Sequence, residues 1–465
     1  MNPLLIAVLL AAEPAAVEEP PPTVLAPQRV AVRRMTLDDC VREALKESGT
    51  LIEAQGKVTE WKGKLLEVES VYWPKLQGLA FLAPVYGVKL APGATLNDRP
   101  HPLYESDWKN LNSWGPYTKL QLTLAQPLYT FGRQPAGEKA ASNRLEVEKA
   151  RYLQVRNTVA LEVRRYYFLH LFARSMQPAL DQAKSILDEA NKSAQEAYAE
   201  ANGSVTQVDL AKLRYGGTVL GKGLIQAEIG QKLALAALKH TMGMAQSTEI
   251  ELVEEALPPL PDAPLPNLDH FVLKALEHRP EMAQVKYGTE AAKWFARSEA
   301  LSSMPTAFVA FQLDLNWSPR RPTEADQFAY DRFNNISPGI AAGFLFDIDP
   351  RKTWARHEGA KGLIEQVEGL KKFASTGIPV EVRKAYDDAV QADMLTRLAN
   401  DGSAAGRKWL VFAGTAYVAG TGEAKDLLEG LVVYLTARQS YFESLQASHF
   451  ARAQLLYVTG ETGVD

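Results

Sequence analysis

The sequence predicts a mainly α fold with transmembrane β, built as two structural repeats, and three observations lead there. One design is stated twice. Ala44-Leu45, Leu51 and Pro74 recur as Ala275-Leu276, Met282 and Pro305; Glu162-Val163-Arg164-Arg165 with Tyr167 returns as Glu381-Val382-Arg383-Lys384 with Tyr386; and Gly203, Asp209 and Gly243 return as Gly420, Asp426 and Gly460. Each copy reads helix, strand, strand, long helix, helix. The second observation is a heptad run, Leu145, Tyr152, Val159, Tyr166 and Ala173, inside a helical pattern from Gln134 to Glu200 that at 1.5 Å per residue would be roughly 100 Å long. The third is a set of period-two runs of about ten residues, the length of a tilted strand crossing a bilayer. Repeated units supply equivalent walls around an axis, so the chain points to architecture before chemistry.

The elements follow in order. Residues 1–12 hold a short apolar run, Leu4 to Leu10, followed by small residues, and are read as a signal peptide although no Lys or Arg precedes the run. No cysteine follows it, so a lipid-modified N-terminus is not indicated. Residues 13–34 form a Pro- and Glu-rich spacer with too few large apolar side chains to fold alone. The first repeat spans 35–256. Helical spacing runs over 36–73, with Thr36 before two aspartates as its cap and Pro74 as its stop.

After Pro74 the period becomes two: Leu120, Leu122 and Leu124 alternate with Lys119, Gln121 and Thr123. The long helix then turns back at Asn202-Gly203-Ser204, where Gly203 ends one helix and Ser204 with Gln207 forms a capping box for the next. A proline-rich linker occupies 257–267. The second repeat, 268–460, places Val309, Phe311, Leu313, Leu315 and Trp317 on one strand face, and its partner strand places Ile340, Ala342, Phe344, Phe346 and Ile348 on one face. Gly420-Thr421-Gly422 repeats the tip turn, and 461–465 is a tail. Pro178 and Pro379 fall inside the long helices, where each removes a donor and favours a kink or break.

Alternation alone fits either a membrane strand or a soluble hairpin packed on a helix. The connections 85–116 and 318–335, long and rich in Pro, Asn, Tyr and Trp, favour the barrel, which pairs long loops on one side with short returns on the other. No run of about 18 apolar residues exists elsewhere, so a membrane would be crossed only by a closed barrel.

Composition excludes several classes. A net charge of -4 from 51 basic and 55 acidic side chains gives no basic face for nucleic acid. The one cysteine, Cys40, and seven scattered histidines offer no disulfide framework and no metal-ligand spacing. Gly216-Gly217-Thr218-Val219-Leu220-Gly221-Lys222 mimics a phosphate loop, but Gly223 stands where Ser or Thr would bind magnesium and no strand precedes it; these glycines are read as allowing close helix packing. Arg164-Arg165 and Arg383-Lys384 read as solvated or glutamate-paired helix faces. No convergent acid, base or nucleophile is present, so the chain is read as no enzyme, with no catalytic, cofactor or metal site.

Three segments carry a family resemblance: Thr36-Leu37-Asp38-Asp39-Cys40-Val41-Arg42-Glu43-Ala44-Leu45, the junction Gln126-Pro127-Leu128-Tyr129-Thr130-Phe131-Gly132-Arg133, and the returning helix from Gly203 through Asp209 to Leu238 and Gly243. Their order and duplication over about residues 35–460 resemble the outer membrane efflux proteins, the TolC family. The resemblance implies a homotrimer in which four strands per chain build one 12-stranded β-barrel, joined to a long coiled-coil α-helical barrel in the periplasm. It implies an exit duct in the cell outer membrane for small molecules or, as in type I secretion, proteins. Its partners would be a periplasmic adaptor (membrane fusion protein) and an inner-membrane RND or ABC transporter, with outer-membrane lipid around the strands.

The resemblance also implies a gate near the periplasmic tip. Asp426 and Glu429, six and nine residues past Gly420, match an acidic ring; Asp209 is the first-copy counterpart of Asp426; Tyr417 matches a tyrosine that hydrogen-bonds across the closed tip. Where some relatives carry a basic residue two places after the tip glycine, this chain has Gly422, which removes a closing salt bridge there. Acids early in a helix also complement its dipole, whatever their other role. The tip turns Gly203, Ser204, Gly420 and Thr421 are the expected adaptor contacts. The competing reading is a soluble or peripheral coiled-coil scaffold.

Overall fold

The computed structural model describes residues 32–93, 104–200, 205–261, 264–321 and 332–463. The signal-peptide reading and most of the spacer lie outside the described residues. The chain begins with β1 (Arg33–Met35), which pairs in parallel with β6 (Ile250–Leu252) and so ties its start to the end of the first helical hairpin. Arg33 and Arg34 thus belong to a strand and not to the spacer.

The helical segment expected over 36–73 is two helices, α1 (Leu37–Glu47) and α2 (Gly49–Glu69). Thr36 caps α1 in a reciprocal capping box with Asp39. The break comes at Ser48, whose backbone is extended, and α5 (Leu268–His278) and α6 (Pro280–Ala300) part in the same way at Arg279. In the second copy Pro280 enforces it, since proline is favoured at the first helical position and disfavours helix for the residue before it. Gly243 and Gly460, both at positive φ, lie directly on these two corners. A Cβ on Gly243 would overlap the Glu47 carbonyl, and one on Gly460 would sit 2.8 Å from the His278 carbonyl. The corners admit only glycine at these two points.

Four strands form one antiparallel sheet in the order β2 (Lys75–Val85), β5 (Gly115–Tyr129), β7 (Thr306–Trp317), β8 (Asn335–Leu345). β8 stops at Leu345, so Phe346 and Ile348 continue its apolar pattern outside the strand. Within the long first connection a small hairpin forms from β3 (Val88–Leu90) and β4 (Tyr104–Ser106). Register places Gln121 beside Asp314 and Thr123 beside Gln312 on one face, and Leu122 beside Leu313 and Leu124 beside Phe311 on the other. The apolar face carries Leu76, Leu82, Phe311, Trp317, Ile336, Ile340 and Phe344, which are between 40% and 80% exposed. A monomeric soluble sheet would cover such a surface.

α3 (Arg133–Ala199) and α7 (Pro350–Val418) are the two long helices, returned by α4 (Gln207–Thr241) and α8 (Ala424–Val458). Neither proline breaks its helix. Ala179, Leu180 and Ala183 are buried beside Pro178, and Ile378 and Val382 beside Pro379, and this packing offsets the cost of about 3 kcal/mol for a missing helical donor. Small residues line the seams: Ala190, Ala194, Ala385 and Ala389 are nearly or fully buried. Arg164 departs from the solvated reading. It is 6% exposed, donates to the Ala160 and Thr462 carbonyls, and burial lowers its pKa. No helix among the described residues is long and apolar enough to cross a membrane.

Candidate functional site

Two regions gather the polar chemistry, one at the helical tip and one on the sheet. At the tip, α4 starts two residues later than a Ser204 cap would require. Thr206 is the N-cap, its hydroxyl accepting from the Asp209 N–H at 3.2 Å and donating to the Asp209 carboxylate at 2.7 Å. Gln207 is the first helical residue, and its amide donates to the Tyr198 hydroxyl at 3.1 Å. Sequence reasoning missed this cap because Thr206 and Asp209 keep the same three-residue spacing as Ser204 and Gln207. Gly203 and Ser204 lie outside the described residues.

Asp209 is therefore engaged locally. The Thr206 hydroxyl, with its backbone N–H and the Lys212 ammonium at 3.2 Å, holds the carboxyl below the usual carboxylate range. In the second copy Gly420 ends α7 in a left-handed conformation, and the N–H groups of Thr421 and Gly422 both reach the Ala416 carbonyl at 3.0 Å. Gly422 has little space. A Cβ there would sit 3.0 Å from the Tyr417 nitrogen, so a side chain at 422 would push the turn open. α8 has no side-chain cap.

Asp426 and Glu429 stand exposed on the first two turns of α8, three residues apart and so on one face. Glu429 lies 3.8 Å from the Lys425 ammonium. Tyr417 packs into the apolar cluster of Leu213, Leu410, Leu427 and Leu431. Its hydroxyl is buried without a hydrogen-bond partner among the described residues, and burial together with the Asp209 charge raises its pKa. The fold thus brings Tyr417 and Asp209 to one end of the bundle, while Asp426 and Glu429 face outward from this chain. The phosphate-loop mimic lies inside α4, where Gly216 is buried against Leu428.

On the sheet, the polar face carries two bonded groups. Lys119 pairs with Asp314 at 3.4 Å, the Gln312 amide donates to Asp314 at 2.6 Å, and the Tyr117 hydroxyl donates to Asn316 at 2.6 Å, which in turn donates to Asn335 at 2.7 Å. Leu79 and Phe81 share this face, so it is amphiphilic rather than wholly polar. The sheet joins α3 through the junction seen in the sequence. The Thr130 hydroxyl accepts from the Gln134 N–H at 3.1 Å and meets the Tyr72 hydroxyl at 2.8 Å, with Phe131 and Gly132 turning the chain at positive φ. One further cluster has no signature in the residue pattern: Arg279, buried at the α5/α6 corner, pairs with Glu281 at 3.2 Å and Glu381 at 2.6 Å.

Neither a family model nor a curated protein matches this chain. Solved structures do. The outer membrane channel CmeC of Campylobacter jejuni aligns over 92% of this chain and 87% of its own length at 16% identity, with a TM-score of 0.73. The outer-membrane channel OprN aligns over 91% and 89% at 16% identity, TM-score 0.70. The outer membrane protein VceC of Vibrio cholerae aligns over 91% and 96% at 15% identity, TM-score 0.68. The strand pair in each repeat, the long helices and the returning helices therefore constitute the fold of these outer-membrane channels.

Proposed function

We propose that three copies of this chain close into a twelve-stranded barrel in the outer membrane, continued by a helical barrel in the periplasm, and act as an exit duct for small molecules or proteins. One observation carries the reading. A four-stranded sheet with an exposed apolar face, an amphiphilic opposite face and, among the described residues, unpaired edges at β2 and β8 is joined to helices of 67 and 69 residues. Edges of this kind are removed only by pairing, and a closed barrel pairs them all. The exposed apolar face weighs against the soluble scaffold, which would leave it in water.

In this reading residues 35–256 and 268–460 are two repeats around the linker 257–267, and 1–12 is removed on export. The duct does no covalent chemistry and holds no cofactor. An adaptor engages the tips around Gly203, Ser204, Gly420 and Thr421, and an RND or ABC transporter supplies the drive. Three copies of Asp426 and Glu429 near the axis would attract cations and repel one another, giving a cation-preferring constriction. The test is single-channel conductance of the detergent-extracted trimer in a planar bilayer under potassium and chloride gradients. A small cation-preferring current supports the duct; a monomer in solution that fails to insert overturns it.

A further inference from the structure

The sheet end remote from the helices is closed over by an interlocked set of rings. Tyr117 on β5 meets Phe81 on β2 edge to face at 5.7 Å and Phe333, just before β8, at 5.2 Å. Phe333 meets Tyr86 at 6.4 Å, and Tyr86 meets Trp114 at 6.2 Å. The Arg321 guanidinium lies 4.7 Å from the Phe333 ring centre and 5.5 Å from that of Tyr86, and donates to the Tyr86 carbonyl at 3.0 Å. These side chains come from all four strand ends or the turns beside them.

Two features make this set rigid rather than a loose rim. Tyr117 is only 8% exposed although it shares the polar face with Lys119 and Gln121, and its hydroxyl is fixed on Asn316. The turns around it are also tight. The Arg320 side chain fills the space beside Gly115 and donates to the Asn112 and Trp114 carbonyls, while a Cβ on Gly87 would sit 2.8 Å from the Ser113 carbonyl. Edge-to-face rings and a guanidinium stacked on them each add attraction beyond area burial.

We propose that this cluster is a fixed collar at the outer mouth of the duct, a steric filter that sets the largest solute able to pass, separate from the acidic tip at the other end. The inference rests on the duct reading above. Eight-stranded barrels are filled by side chains and barrels of sixteen or more leave a wide channel, so at twelve strands three sets of such rings at one level take up much of the bore. Arg321 acts as a positioning residue that holds the Phe333 ring between Tyr86 and Tyr117. The collar excludes bulky solutes by width, whatever their charge.

The test uses planar bilayers holding the purified trimer, with neutral polyethylene glycols of graded size added on the outer side. Asp426→Ala with Glu429→Ala, which trims the side chains at the tip constriction, serves as the background. There, Tyr117→Ala with Phe333→Ala should raise conductance about twofold and admit larger polymers, because a wider constriction conducts more. Tyr117→Phe keeps the ring and should leave the size limit unchanged. Arg321→Gln should raise the limit by a smaller step. Phe333→Leu alone, which keeps an apolar packing partner and so protects assembly, should do the same. An identical polymer limit in all these variants, each still a heat-resistant channel-forming trimer, overturns the collar while leaving the duct intact. A wild-type protein that forms no channel sinks the duct reading, and the collar with it.

Discussion

Gly216 on α4 lies against Leu428 on α8, so close that a Cβ on the glycine would overlap the leucine Cδ2. This contact, near the acidic turns of α8, sets how nearly the two helical hairpins approach. Because the obstructing atom is the end of a flexible side chain, Gly216→Ala should cost about 1 kcal/mol and Gly216→Leu about 3 kcal/mol, the range for overpacking. Adding Leu428→Ala to Gly216→Ala should recover the loss. Thermal melting of the wild type, Gly216→Ala, Leu428→Ala and the double variant tests this, and additive losses would show that the residues are not coupled.

Arg279 is buried between Glu281 and Glu381, and its removal leaves the Glu281 carboxylate largely enclosed. Arg279→Ala should destabilise by roughly 3 kcal/mol, at the low end for breaking a buried pair because Glu381 is more than half exposed. Arg279→Ala with Glu281→Gln should regain part of it. Denaturant midpoints measure both.

Tyr417 separates two roles cleanly. Its hydroxyl is buried without a partner among the described residues, so it contributes no bond to them, and Tyr417→Phe should leave the melting temperature unchanged or slightly raised. If the hydroxyl latches the closed tip across chains, the same variant should raise closed-state conductance. Conductance and melting both unchanged would exclude the latch.

His170 and His449 both have lowered pKa values, chiefly because burial disfavours their charged forms. His449 faces the Pro258 carbonyl, the Phe168 ring, Arg452 and Asp393; His170 faces the Gln231 carbonyl and Arg174. The unfolded histidines take up protons first as pH falls below about 6.5, so stability should be flat above that value and decline below it, levelling once the folded histidines protonate. His449→Gln should flatten part of this slope. A slope unchanged in that variant would place the pH dependence elsewhere.

Thr206 caps α4 through the reciprocal bonds with Asp209, and Thr206→Ala should cost about 1 kcal/mol. Its second effect distinguishes it from an ordinary cap. Loss of the hydroxyl removes the largest cause of the low Asp209 pKa, so the Asp209 titration followed by NMR should move up toward the ordinary carboxylate value. No movement would mean that the backbone N–H of residue 206 and Lys212 hold it without the hydroxyl.

The sequence by itself determined the elements, because period and punctuation are local properties. The heptad from Leu145 to Ala173 marks a helix, the alternation from Val309 to Trp317 marks a strand, and Gly243 and Gly460 mark helix ends, whatever lies around them. What depended on neighbours distant in the chain was decided only in the tertiary structure. Pro178 and Pro379 are tolerated because buried alanine, leucine and valine hold the helices on both sides of them. Arg164 is buried because its guanidinium finds a carbonyl 298 residues away. The two hairpins become one sheet through β5 pairing with β7, a register between segments nearly 200 residues apart. The chemistry at the tip follows the same division. The Thr206–Asp209 cap is a local pair three residues apart, whereas the enclosed hydroxyl of Tyr417 arises from packing between helices, and packing energy has no signature in the order of residues along one segment.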